Sequence, residues 1–503
     1  MTTPNRPAVF IEKIFPVTLL NQQVYYEHGG NPFKGLHRWY SRKPLSFSRA
    51  SVLGSLLPDT VTPEEFEYLL GLQRRLGGQP DTTTKLYKTP PSTERIKQVH
   101  DLCEQTWGTR TPTVLDAFAG GGSIPFEAVR YGLNVLASDL NPVAVVTMKA
   151  AMEYPLKFGP DLQHEIDKWV KWVGDEAEKR LGEFFPSGEE HPPQPPFARG
   201  EKSEVPLEKG DLGGCNLNSK RCHITAASAD NLSHIPDKSL DAVVTDPPYY
   251  ATIQYSELSD FFYVWQKRVL GDIFPELYFS ELTDKDREAV ANPSRFRNMG
   301  KSAEELANRD YEAKMALAFA EYCRVLRDDG VMTVQFNHKD SGAWDVLAKS
   351  LIDAGFEITA SWAVSTENPQ NLRQAQKNSV SSTVLLVCRK RDPKAGSAWW
   401  YDLRPELANL VEQRAPEFEA NDINGIDLYL EEQSIDPVRR FLKATGLLSN
   451  DLFMRVWEVA LKAIPQIGDQ TQTHGGGKGP GRPVASNGGD SGQGGLPAAG
   501  AGV

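Results

Sequence analysis

Residues 113–142, TVLDAFAGGGSIPFEAVRYGLNVLASDLNP, decide the fold. TVLDAF (113–118) is a short apolar run ending in a glycine cluster, SIPFEAVRYG carries apolar residues at helical spacing, and NVLASDL (134–140) is a second apolar run. A strand, a crossover helix and a second strand make a parallel pair. Working outward, HITAAS (223–228), LDAVVT (240–245), VMTVQF (331–336), FEITASWAV (356–364) and STVLLVCRK (382–390) read as further strands, with helical stretches between most of them. Seven strands alternating with helices predict an α/β fold, an open, doubly wound, Rossmann-like sheet. Ligands of such sheets sit at the carboxyl ends of the strands.

The loop Asp116-Ala-Phe-Ala-Gly-Gly-Gly-Ser123 lies where that rule puts a ligand. Glycines there allow close approach of a ligand to the backbone, and the free N–H groups of the helix start can face an acidic group. The dinucleotide fingerprint G-x-G-x-x-G requires glycine at 125, where this chain has Pro125, so a small nucleoside cofactor fits better than a pyrophosphate. Asp139, about 20 residues beyond the glycines, stands where an acid accepts ribose hydroxyls. Asp116, Phe118, Gly120, Gly122, Asp139 and Asn141 are therefore the candidate cofactor contacts. Asp230, after the third strand, is a candidate partner for an adenine ring, and a surface turn accounts for it almost as well.

The motif Thr245-Asp-Pro-Pro-Tyr-Tyr250 follows the apolar strand LDAVVT directly. Two prolines cannot continue a strand ladder, so they make a rigid turn at its carboxyl end. Asp246 and a proline carbonyl, from Pro247 or Pro248, can each accept one hydrogen of a planar amine, because proline leaves its carbonyl free. Tyr249 offers a face on which a base can stack, a contact of about 1–3 kcal/mol per base. These four residues are the candidate catalytic set.

Together, Asp116 to Ser123, Asp139 to Pro142 and Asp246 to Tyr249 resemble the amino-directed methyltransferases that use S-adenosylmethionine, and DPPY is the form typical of adenine-specific DNA methylases. Segments 31–50 (NPFKGLHRWYSRKPLSFSRA), 246–265, 324–344 and 384–391 look like one bacterial and archaeal methylase family with an N-terminal domain of unknown function. The resemblance implies a class I methyltransferase sheet, S-adenosylmethionine as cofactor and methylation of the adenine amino group in DNA, after the base is flipped from the duplex. It admits restriction or phage-defence partner proteins. An RNA methyltransferase acting on a guanine amino group, some of which also carry DPPY, is the alternative enzyme. A non-catalytic nucleic-acid-binding subunit of a defence system is the alternative of another class.

From His28 to Pro58 the chain has no acidic residue, while Lys34, Arg38, Arg42, Lys43 and Arg49 interleave with Trp39, Tyr40 and Phe47. That composition predicts a nucleic-acid-binding patch formed by Lys34, Arg38, Arg42 and Arg49. In related methylases an H-x-x-Y-x-x-K-like element lies beside the methionine end of the cofactor, and His37, Tyr40 and Lys43 match its spacing. Cofactor clamp and DNA contact thus compete for this segment. A stretch that includes Tyr255, Phe261, Phe262, Tyr263 and Trp265 reads mainly as core, on a short amphipathic helix.

With 55 Lys plus Arg against 66 Asp plus Glu, the chain carries a formal charge of -11, which excludes binding to nucleic acid through overall basicity. No apolar stretch approaches the roughly 20 residues of a membrane span, and MTTPNRPAVF has no basic segment followed by an apolar run, so a soluble, cytoplasmic protein is expected. Five cysteines among 503 residues make no disulfide framework. Cys215 and Cys222 are spaced too loosely for a zinc knuckle, and no metal is expected. Residues 1–110 are expected to form an N-terminal arm and helical region, 111–392 the catalytic domain with a low-complexity insertion at 186–220, and 393–468 a small helical region. A Gly-rich tail occupies 469–503. Oligomeric state is not readable from these features.

Overall fold

The computed structural model describes residues 6–27, 36–75, 80–81, 83–184, 221–299, 302–338, 341–366 and 382–392. The insertion at 186–220, the helical stretch 393–468 and the tail lie outside the described residues.

The seven expected strands all form: β1 (Thr113–Asp116), β2 (Asn134–Asp139), β3 (Cys222–Ala226), β4 (Leu240–Thr245), β5 (Leu326–Phe336), β6 (Phe356–Ser365) and β7 (Ser382–Lys390). They make one sheet in the order β3-β2-β1-β4-β5-β7-β6. The first five are parallel, and β7 lies antiparallel between β5 and β6. This mixed, doubly wound sheet is the Rossmann-like arrangement that the strand and helix pattern predicts. The order reverses direction between β1 and β4, and a crevice opens at such a switch point. Register brings the loops together there, since Asp116 pairs with Ala137 and Asp139 with Ala226 at adjacent strand ends.

The helices include α1 (Val17–Glu27), α2 (Leu45–Leu56), α3 (Ser123–Arg130), α4 (Pro142–Met148), α5 (Asp161–Leu181), α6 (Tyr255–Leu270) and α7 (Ala303–Val325). Every residue of α2 is buried. A helix buried on all sides has no polar stripe to give it a helical signature, so its sequence reads as a basic, aromatic segment rather than as core. Small residues let it approach the sheet: Ser55 Oγ lies 2.7 Å from Thr333 Oγ1, and Gln335 donates to Ser51 Oγ at 3.2 Å. Its N-terminus follows Pro44, which makes no side-chain cap. The Glu27 carboxylate at the end of α1 supplies one instead, accepting from Leu45 N at 2.8 Å and Ser46 N at 3.2 Å.

The burial of α2 overturns the role expected for Arg49. Its guanidinium is fully buried, donating to Glu127 Oε2 at 2.7 Å and to the Leu70 carbonyl at 2.7 Å. Arg49 joins α2 to α3 inside the core and cannot meet a phosphate. Lys43 is also buried, Arg42 is half-buried against the glycine loop, and Arg38 is exposed. Lys34 lies outside the described residues. The five basic side chains therefore do not form one surface patch, because α2 turns inward immediately after Pro44.

The aromatic stretch on α6 differs from expectation in the opposite sense. Tyr263 is buried, whereas Phe261 is 67% exposed and Trp265 57% exposed, with Phe262 at the margin between them. Among the described residues, no helix is long and apolar enough to cross a membrane.

Candidate active site

An open cleft, about 900 Å³ when the solvent at its mouth is included, lies over the carboxyl ends of β1, β2, β3 and β4. Asp116, Phe118 and Gly120 enter it from the loop after β1, Asp139 and Asn141 from the end of β2, Asp230 from beyond β3, and Asp246 and Pro248 from the turn after β4. Loops far apart in the chain converge here because parallel strands all release their loops at one edge.

Three of the carboxyls that line this cleft sit in unlike settings. Asp116 is buried, accepts from Thr245 Oγ1 at 2.9 Å and from Phe118 N at 3.2 Å, and burial holds its pKa well above the usual carboxyl range. Asp139 accepts from Gly120 N and Asn141 N, each at 2.8 Å, so it ties the first loop to the second; burial raises its pKa to about 6. Asp246 is likewise raised to about 6 by burial, against the opposing pull of Lys43 and of the hydrogen bond from the Tyr249 hydroxyl.

The glycine loop is used differently from expectation. A Cβ on Gly120 would stand 2.6 Å from Trp39 Nε1, and one on Gly121 would stand 2.7 Å from Arg42 Nε and 2.8 Å from Trp39 Cβ. The close approach that glycine permits is made by the segment before α2, which roofs the loop. Gly122, a candidate contact, does not line the cleft: it is left-handed (φ +78°), and a Cβ there would meet Met148 and Met152 on the far side.

His37 and Tyr40 do not line the cleft either, so the expected three-residue clamp is not assembled. Tyr40 donates to the Leu258 carbonyl at 2.7 Å, and the His37 ring meets Phe262 edge-on at 4.9 Å, which binds this segment to α6. Only Lys43 of the three reaches the cleft. Arg42 lines it too, donating to the His37 carbonyl at 3.0 Å.

The turn after β4 is also more constrained than its sequence implies. The Pro248 carbonyl accepts from the Tyr311 hydroxyl at 2.9 Å and from Tyr250 N at 3.1 Å. Of the two proline carbonyls expected to be free, only that of Pro247 accepts no hydrogen bond among the described residues. Tyr249 does not present an open stacking face to the cleft. Its ring meets Phe336 edge-on at 5.4 Å, the Lys43 ammonium lies 4.6 Å from its centroid, and its hydroxyl donates to Asp246. Tyr250 holds a left-handed backbone (φ +55°), which is costly for a residue with a Cβ. Its carbonyl accepts from Ala291 N at 3.1 Å, so the turn is held by the segment that follows α6.

That segment supplies site residues that no motif announces. Arg287 and Glu288 line the cleft; Glu288 accepts from Ser256 N at 2.8 Å, and burial raises its pKa to about 7. Ser123 and Asn141 carry a different signal. The Ser123 hydroxyl and the Asn141 side-chain amide nitrogen are both buried, line the cleft and have no hydrogen-bond partner among the described residues. Buried polar groups without partners are rare and mark a place where a ligand or water completes them.

A family described as "Protein of unknown function (DUF1156)" matches residues 14–70, the stretch that contains α1, Trp39, Lys43 and α2. No curated protein matches the chain. Among solved structures, it is similar to the 1,6-didemethyltoxoflavin-N1-methyltransferase of Burkholderia thailandensis, solved with S-adenosylhomocysteine, at 13% identity over 59% of this chain and 78% of that one, with a TM-score of 0.24. It is similar as well to TrmN from Thermus thermophilus (13% identity, 56% of this chain and 44% of that one, TM-score 0.23). A TehB-like SAM-dependent methyltransferase from Corynebacterium glutamicum is a third (11% identity, 56% and 80%, TM-score 0.23).

Proposed function

We propose that this chain transfers a methyl group from S-adenosylmethionine to the exocyclic amino group of adenine in DNA. The observation that carries the reading is that Asp246 and Pro248, of the turn after β4, line the same cleft as the Asp116 loop, Asp139 and Asp230, with the Pro247 carbonyl between them in that turn accepting no hydrogen bond among the described residues. The cleft's own chemistry fits the cofactor. Unpartnered groups at Ser123 and Asn141 can meet its polar atoms, Asp139 retains lone pairs for ribose hydroxyls, and Asp230 can accept from an adenine amine. When bound, the cofactor supplies an electrophilic methyl group on a sulfonium centre.

The remaining work falls to the chain. Asp246 and the Pro247 carbonyl each accept one hydrogen of the target amine, which turns its lone pair toward the methyl donor. Positioning and electrostatics suffice, with no covalent intermediate. For Tyr249 to stack on the base, its ring moves off Lys43 and Phe336 and its hydroxyl leaves Asp246 as the target amine takes the carboxylate. Flipping is required because the amine cannot be reached inside the helix.

The test is expression in a host that lacks DNA methylation, followed by direct sequencing of its DNA for modified adenine. A modified motif that appears with the native gene and not with Asp246→Ala supports the reading; unmodified DNA together with tritium transfer to RNA would replace it with the RNA alternative. The roof over the glycine loop makes a separate prediction. Gly121→Ala is expected to push Trp39 and Arg42 outward and to weaken S-adenosylhomocysteine binding, measured by calorimetry, by roughly tenfold, the effect of about 1.4 kcal/mol.

A further inference from the structure

Lys43 is placed for a task that neither the sequence motif nor the family description assigns to it. It immediately precedes Pro44, so the cap that Glu27 provides for α2 also sets where its side chain starts. From there the side chain runs into the protein and its ammonium meets three groups on separate elements. It donates to Thr383 Oγ1 on β7 at 3.0 Å, stands 3.9 Å from Asp246 Oδ1, and lies 4.6 Å from the centre of the Tyr249 ring. Thr383 is held in turn by Thr366, at 2.6 Å between hydroxyls. A buried cation anchored at its far side by a neutral hydroxyl, with one carboxylate in reach, acts on that carboxylate.

We propose that Lys43 is a positioning residue that keeps the Asp246 carboxylate ionised and aimed, so that it can accept the hydrogens of an amine. The matched N-terminal segment would thus contribute a working part of the amine site rather than a cofactor clamp or a DNA contact. The inference rests on the reading of Asp246 as the amine acceptor.

The groups that face Asp246 explain why a cation is needed. Asp116, from β1, lies close enough that the charge of Asp246 adds to the burial that raises its pKa. The Tyr255 hydroxyl, from α6, is buried nearby, and the Tyr249 hydroxyl donates to Asp246 from its own turn. None of these brings a positive charge; Lys43 does. Burial favours the protonated acid, and a protonated acid has lost part of its capacity to accept from an amine. An opposite charge within about 4–6 Å lowers a carboxyl pKa by about 1–3 units. Without Lys43, Asp246 would keep its proton to higher pH.

The experiment titrates Asp246 in the full-length, ligand-free protein by the carboxyl carbon signal of 13C-labelled aspartate, identified by its absence in Asp246→Asn. Native protein is compared with Lys43→Met and Lys43→Arg. In Lys43→Met the midpoint is expected to rise by about one unit or more, and in Lys43→Arg to stay near native. The acid limb of the pH–rate profile should rise with it, so that Lys43→Met recovers activity at high pH, while its affinity for S-adenosylhomocysteine stays within about threefold of native. An unmoved Asp246 midpoint overturns the proposal, as does a large loss of cofactor affinity, which would restore the clamp. If the midpoint moves but no amine is methylated by any form, Lys43 acts on Asp246 as proposed and it is the methyl-transfer reading that fails.

Discussion

Asp246→Ala is expected to lose methyl transfer by about 10²–10³-fold or more, the scale on which removal of one preorganised electrostatic group acts. Cofactor affinity is expected to stay within about threefold, because Ser123, Asn141, Asp139 and Asp230 lie on other loops. Single-turnover transfer and calorimetry with S-adenosylhomocysteine read the two quantities apart. A stability measurement adds a sign that a purely structural residue would not show. Burial raises Asp246 from 3.8 to about 6 in the folded protein. Folding therefore favours its protonated form, and its contribution to stability is full below about pH 4 and falls as pH rises through about 6. Asp246→Ala is then expected to gain stability relative to native between pH 4 and 7. If transfer persists at the native rate, Asp246 is not the amine acceptor; if the variant loses stability steadily toward neutral pH, the carboxyl is not strained by burial.

Arg49→Ala is expected to destabilise the protein by about 3–5 kcal/mol, because it leaves the buried Glu127 carboxylate short of one partner. Arg130 still donates to Glu127 Oε1 at 2.8 Å, which favours the lower end of that range. The Leu70 carbonyl loses its donor as well. A basic residue on a solvated patch would change stability by no more than about 0.5 kcal/mol and would act on DNA affinity instead. Chemical denaturation at neutral pH separates these outcomes. A variant as stable as native that binds duplex DNA more weakly would return Arg49 to the surface.

Arg49 also marks where sequence reading stops. In HRWYSRKPLSFSRASVLGSL the charge, the aromatics and the lack of acids look like a surface that meets polyanions. The partner that changes this meaning, Glu127, lies 78 residues away on α3. No local pattern carries that information. Gly120 and Gly121 are similar: glycine at those positions is legible as a need for close approach, but what approaches is Trp39 and Arg42. Phe261 and Trp265 fail in reverse. Their helical spacing says amphipathic, yet spacing cannot tell whether the apolar face has another element to pack against. Among the described residues it has none covering them.

The alternation of apolar strands with helices, the placement of glycines and carboxylates at strand ends, and the Pro-Pro turn after LDAVVT were all determined by sequence alone, because each is a short-range consequence of hydrophobic period and backbone restriction. Seven strands appear where those periods put them. Tertiary structure decided what spacing cannot encode: that the segment around Trp39 and Lys43 folds over the cleft, that Tyr311 takes the Pro248 carbonyl and leaves Pro247 free, and that Glu288 and Arg287 enter the site. Those outcomes depend on which buried groups find partners across the whole chain, and burial converts each such meeting from a weak surface contact into a requirement.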